Sequence, residues 1–159
     1  MKQLYIILFV LMIFSCTSED GRLDPITPDE DSFVFGVSYG ECLGDCAHLF
    51  MIQNKAVYRD RNERYFNEEL SFNAIPLGTD AYDDASLVLS ELPIEKLKEE
   101  PEERIGMPDA YDQGTIHVLK TIDGTWKEYF IDTDDKNLPE YLIPYTKKLL
   151  STIDSLKTK

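Results

Sequence analysis

Residues 4–14 form an unbroken apolar run with Lys2 ahead of it. Eleven residues at about 1.5 Å each cover roughly half of a ~30 Å bilayer core, too short for a transmembrane helix and right for the hydrophobic centre of a signal peptide. Residues 17–32 then hold two prolines, six acids and only Leu23 and Ile26 as large apolar side chains. Such a stretch has too little surface to offset its ordering entropy, so a flexible acidic tether reaching about 50 Å is expected there.

From Phe33 the pattern has period two. Phe33, Phe35, Val37 and Tyr39 alternate with Val34, Gly36, Ser38 and Gly40, which predicts a strand, and residues 47–53 predict a second. Setting Cys42 opposite Cys46 across a three-residue turn places Tyr39 against Leu49 and Val37 against Met51. One apolar face then carries Phe33, Phe35, Val37, Tyr39, Ala47, Leu49 and Met51. Asn54-Lys55 reads as a tight turn into a third strand at 56–60, and 69–77 as a fourth.

The middle is less regular. Asp83 or Asp84 is the expected cap of a short helix running to Leu92, and 93–100 predicts another, stopped by Pro101. Residues 106–114 are turn-rich. Asp123-Gly124 then joins strands 115–122 and 125–132, the strongest hairpin signal in the chain. Ile116, Val118, Tyr129 and Ile131 share one face, and His117, Leu119, Trp126 and Phe130 the other. A last helix, capped by Asn137, buries a stripe of Leu138, Tyr141, Leu142, Tyr145, Leu149, Ile153 and Leu156, with Lys147, Lys148, Lys157 and Lys159 toward its C-terminus. The expected fold is α+β: an antiparallel sheet built from an N-terminal meander and a second hairpin, with the C-terminal helix packed on it, in one domain at 33–159. Periodicity does not decide whether the two hairpins share a sheet.

The apolar run ends in Ile13-Phe14-Ser15-Cys16, an aliphatic residue, then a small one, then cysteine. This resembles the lipobox of bacterial lipoproteins. The resemblance implies cleavage after residue 15, lipid on the Cys16 sulfur and an acylated new amine, and several acyl chains together hold a membrane firmly. Thr17-Ser18-Glu19-Asp20 is similar to the export signal that sends Bacteroidota lipoproteins to the outer face of the outer membrane.

Charge narrows the partners. The whole chain carries 16 Lys and Arg against 30 Asp and Glu, and loss of Lys2 with residues 1–15 takes the mature charge from −14 to −15. Such a field excludes nucleic acid as a partner and leaves the lipid as the attachment to the membrane. Its usual meaning is solubility, and a cationic ligand is the sharper, rarer one.

With Cys16 lipidated, Cys42 and Cys46 remain as an even pair in an oxidising compartment, and a structural disulfide is expected. Zinc would need more ligands than these and His48, since His117 lies far along the chain. Neither histidine has a Ser, Asp or Cys partner at a recognisable spacing, so no catalytic residue is assigned. Asp80-Ala-Tyr-Asp83 and Asp109-Ala-Tyr-Asp112 are paired carboxylates in loops, and Asp109 and Asp112 are the weak metal candidates. Turn formation accounts for such residues without a metal. No cofactor is implied.

Cys42-Leu43-Gly44-Asp45-Cys46, a hydrophobic strand and a hairpin into Val57-Tyr58 resemble small Bacteroidota lipoprotein domains of unknown function, over residues 36–60 and 106–114. Where those domains carry further cysteines this chain has Met107 and Ala110, so the resemblance implies a second disulfide lost here. It implies no activity. The expectation is a lipid-anchored outer-membrane lipoprotein, a non-enzymatic binding or structural module whose protein or small-molecule partner is unknown. The alternative is an inhibitor or accessory subunit of a protein such as an envelope or secreted hydrolase.

Overall fold

The computed structural model of the protein describes residues 23–62, 66, 69–110 and 113–159. Two tight turns define its hairpins. Asn54 and Lys55, at φ 51° and 60°, join β2 (Ala47–Gln53) to β3 (Ala56–Arg59). Asp123 and Gly124, at φ 51° and 77°, join β5 (Thr115–Ile122) to β6 (Thr125–Asp132). Positive φ at both central residues matches the twist of the flanking strands. β1 (Phe33–Ser38) lies between the hairpins, antiparallel to β2 on one side and to β5 on the other, so both belong to one sheet. The order is β3-β2-β1-β5-β6-β4, and among the described residues β4 (Arg104–Ile105) is the one strand that pairs parallel, two residues long beside β6. The fold is α+β, with a mixed sheet.

Helices α1 (Thr79–Ser90), α2 (Ile94–Glu99) and α3 (Ile143–Lys157) cover one face. Phe33, Phe35, Val37, Phe50, Ile52, Ile116, Val118 and Ile131 meet Ala81, Ala85 and Val88 of α1 and Tyr145, Leu149, Ile153 and Leu156 of α3 in the main core. The Arg59 guanidinium donates to the Leu156 carbonyl at 2.7 Å, satisfying an end carbonyl of α3. The other face has a smaller core of Val34, Leu49, Met51, Leu119 and Phe72, against which Ile26, Tyr58, Phe66 and Leu70 pack.

Several expectations need correction. In the β1–β2 register Val37 opposes His48 and Ser38 opposes Ala47, three positions from the pairing that sets Cys42 opposite Cys46. An odd shift exchanges faces. Phe50 and Ile52, not Leu49 and Met51, join Phe33 and Phe35 in the main core, and Phe50 lies 5.9 Å from Phe35, ring centre to ring centre. Large aromatic side chains outweigh a short loop in choosing the register. The Tyr39 N–H donates to the Cys46 carbonyl at 2.8 Å, so the connection is six residues long and Tyr39 stands at the surface.

Of the expected tether at 16–32, the described part, 23–32, is docked on the domain. Ile26 exchanges two backbone hydrogen bonds with Phe72, and Ser32 is fully buried, so the domain begins before Phe33. Residues 69–77 form no strand; Phe72 alone makes isolated bridges to Ile26 and Asp60. The first helix starts at Thr79, ahead of Asp83 and Asp84, because its buried stripe of Ala81, Ala85 and Val88 is too small-sided to stand out in the sequence. Asn137 does not cap the last helix. It ends a 3-10 turn (Asp135–Asn137), its amide donates to Asp132 at 2.8 Å, and α3 begins at Ile143 with Pro144 in its first turn. A helix begun at Leu138 would put Pro144 in its interior, where its missing N–H and its ring break the ladder.

Candidate functional site

The face of the sheet opposite the described helices, helix-free among the described residues, carries the polar chemistry. Strand alternation places Ser38 of β1, His117 of β5 and Glu128 of β6 on this face, on diagonal neighbours of three adjacent strands. Ser38 Oγ lies 2.7 Å from His117 Nε2, and His117 Nδ1 lies 3.3 Å from Glu128 Oε1. A hydroxyl donating to Nε2 leaves the Nδ1–H to donate to the carboxylate, so one neutral tautomer satisfies all three groups. The His117 ring is 2% exposed while the Glu128 side chain is 27% exposed, so the imidazole sits dry between a half-buried hydroxyl and a wetter carboxylate. Phe66 stacks on the imidazole at 4.1 Å, and Phe130 meets it edge-on at 5.5 Å. The two rings fix the imidazole plane.

One end of the same face opens into a shallow cleft of about 500 Å³. Pro28, Asp29, Glu30, Leu70, Thr121, Gly124 and Trp126 line it, and Trp126, the only tryptophan of the chain, is 40% exposed there. Among the described residues its lining has two acids and no base. The Ser32 hydroxyl, 2.7 Å from Asp29 Oδ1, is the main cause holding the Asp29 carboxyl below its ordinary value, with burial opposing and the Asp31 N–H assisting. Trp126 opposes Thr121 and Glu128 opposes Leu119, so the cleft and the Ser38–His117–Glu128 row are neighbours on adjoining strand positions.

A disulfide joins Cys42 to Cys46, with Cα atoms 5.6 Å apart, inside the loop after β1 rather than across the strands. At its tip Leu43 is fully exposed. Asp109, at φ 62°, accepts a hydrogen bond from the Gly40 N–H at 3.2 Å, tying a second loop to this one. That is the role the structure shows for Asp109. Asp112, its expected partner, and Cys16 lie outside the described residues. Among the described residues no three His, Cys, Asp or Glu side chains are grouped to hold a metal ion, and no helix is long and apolar enough to cross a membrane.

The two histidines fall on opposite faces, His48 opposing Val37 and His117 opposing Gly36. The partners of His117 escaped the sequence because Ser38 is 79 residues away. Glu128 was within reach: the Asp123-Gly124 turn already sets it diagonal to His117 on the shared face. Compared with family models, with curated proteins and with solved structures, the chain matches none.

Proposed function

We propose that the chain is a lipid-anchored lipoprotein of the bacterial outer membrane whose domain is a binding module, using the helix-free face of its sheet. The observation that carries the anchor is the apolar run ending in Ser15-Cys16. Metabolic labelling with palmitate is expected to mark the wild-type chain and to leave Cys16→Ser unlabelled. Equal labelling of the two would remove the anchor.

The Trp126 cleft supports the binding role. An indole face beside two carboxylates suits a cation or a hydroxyl-rich ligand and disfavours an anion. Because Trp126 is the sole tryptophan, its fluorescence reads the cleft directly. Caesium is expected to quench it more strongly than iodide at low ionic strength, and the preference should shrink in Glu30→Gln and as salt approaches ~1 M, where the screening length is about 3 Å. Stronger quenching by iodide would mean that the acids do not govern the cleft.

A further inference from the structure

The geometry points to a second property of this face, independent of the anchor and of the cleft: we propose that Ser38 is a nucleophile, with His117 as its general base and Glu128 as the residue that positions the base, and that the site accepts acyl groups from carboxylic esters.

Three observations carry it. A hydroxyl 2.7 Å from Nε2 and a carboxylate 3.3 Å from Nδ1 give the imidazole a donor on one side and an acceptor on the other. That is the arrangement in which a histidine takes a hydroxyl proton while a third group holds its tautomer. The base is buried and clamped by Phe66 and Phe130, so its lone pair stays aimed at Ser38. Ser38 ends β1, where the sheet gives way to loop, and is half-buried as a residue, whereas His117 is buried. A polar row built only to satisfy a buried histidine does not need its hydroxyl at a strand end.

In the reaction Ser38 Oγ forms a bond to the ester carbonyl carbon as the π pair moves onto the carbonyl oxygen, and the Oγ proton passes to His117 Nε2. The carbonyl re-forms, the bond to the alcohol oxygen breaks, and the alcohol leaves with the proton returned by His117. Water, deprotonated by the same nitrogen, then releases the acid and restores Ser38. Glu128 forms and breaks no covalent bond and acts through its hydrogen bond to His117 Nδ1.

The test uses a fluorophosphonate probe on the full-length chain in detergent. Oγ–P bond formation expels fluoride, and the proton goes to His117. One adduct per chain is expected, mapped to Ser38 by peptide mass and absent from Ser38→Ala. Labelling should slow about 100-fold or more in His117→Gln and about 10-fold in Glu128→Gln. Glu128 is partly exposed, so Glu128→Gln should keep the fold even where His117→Gln does not, and circular dichroism checks both. Glu128→Asp should recover part of the rate that Glu128→Gln loses, a rescue that loss of packing alone would not produce. Folded wild type without an adduct, an adduct at another serine, or equal rates in wild type and a folded Glu128→Gln would each overturn the proposal.

Discussion

Gly36→Ala is expected to destabilise the domain by about 3 kcal/mol or more, a large share of the roughly 5–15 kcal/mol typical of a folded domain. Gly36 is in the middle of β1, the central strand, with Leu49 opposite on one side and His117 on the other. A β-carbon there would stand 2.3 Å from the His48 carbonyl oxygen and 2.7 Å from the Leu49 Cα, both backbone atoms that no rotamer change can move. The strand must therefore shift, and with it the packing of Phe35 and Val37. Urea melts monitored by the Trp126 fluorescence measure the loss; a midpoint within experimental error of wild type would mean that β2 yields where the close approach says it cannot.

Asp132→Ala is expected to cost roughly 2–4 kcal/mol at neutral pH. The Asp132 carboxylate is 1% exposed at the end of β6. Its Oδ2 accepts from the Met107 N–H and the Asn137 amide, both at 2.8 Å, and its Oδ1 from the Asp134 N–H at 2.8 Å. It thereby joins β4, β6 and the 3-10 turn, and its removal orphans three donors. Burial pushes its carboxyl up, but the Asp134 and Met107 N–H groups and the Asn137 amide outweigh burial and hold it below the ordinary carboxylate value. A lowered value in the folded state stabilises above the unfolded value near 4 and is lost as pH falls through the folded one. The gap between wild type and Asp132→Ala in urea midpoints should thus be full at pH 7 and narrow below about pH 4. A gap that stays constant down to pH 2 would show that the charge plays no part.

The hairpins were legible because their information is local. Asp123-Gly124 and Asn54-Lys55 specify turns by backbone conformation, and alternation from each turn outward assigns Ile116, Val118, Tyr129 and Ile131 to the core. The β1–β2 register was not, because two local signals disagreed: the cysteine spacing favoured a short loop, and the aromatic side chains of Phe35 and Phe50 favoured a longer one. A disulfide tolerates many loop shapes, whereas a misplaced phenylalanine does not tolerate water, so the rings prevailed. The docking of Ile26 on Phe72 and the two-residue β4 depend on contacts too sparse to leave a period. In the candidate site, Trp126, His117 and Phe130 were assigned correctly to one face. Their meeting with Ser38 waited on the β1–β5 pairing, which no local pattern encodes.

That pairing has a further consequence. Ser38 belongs to the half of the chain that forms β1, β2 and β3, while His117 and Glu128 belong to the β5–β6 hairpin, and the sheet ladder between the halves is β1 against β5. Neither half holds the row by itself. A fragment ending within residues 60–114 retains the hydroxyl without its histidine, and one starting there retains the histidine and carboxylate without their serine. A clip in the long connection between the halves would preserve the row only while the severed pieces stay docked through β1 and β5. The row is a property of the assembled domain, and it reports on the integrity of the whole chain rather than of any segment.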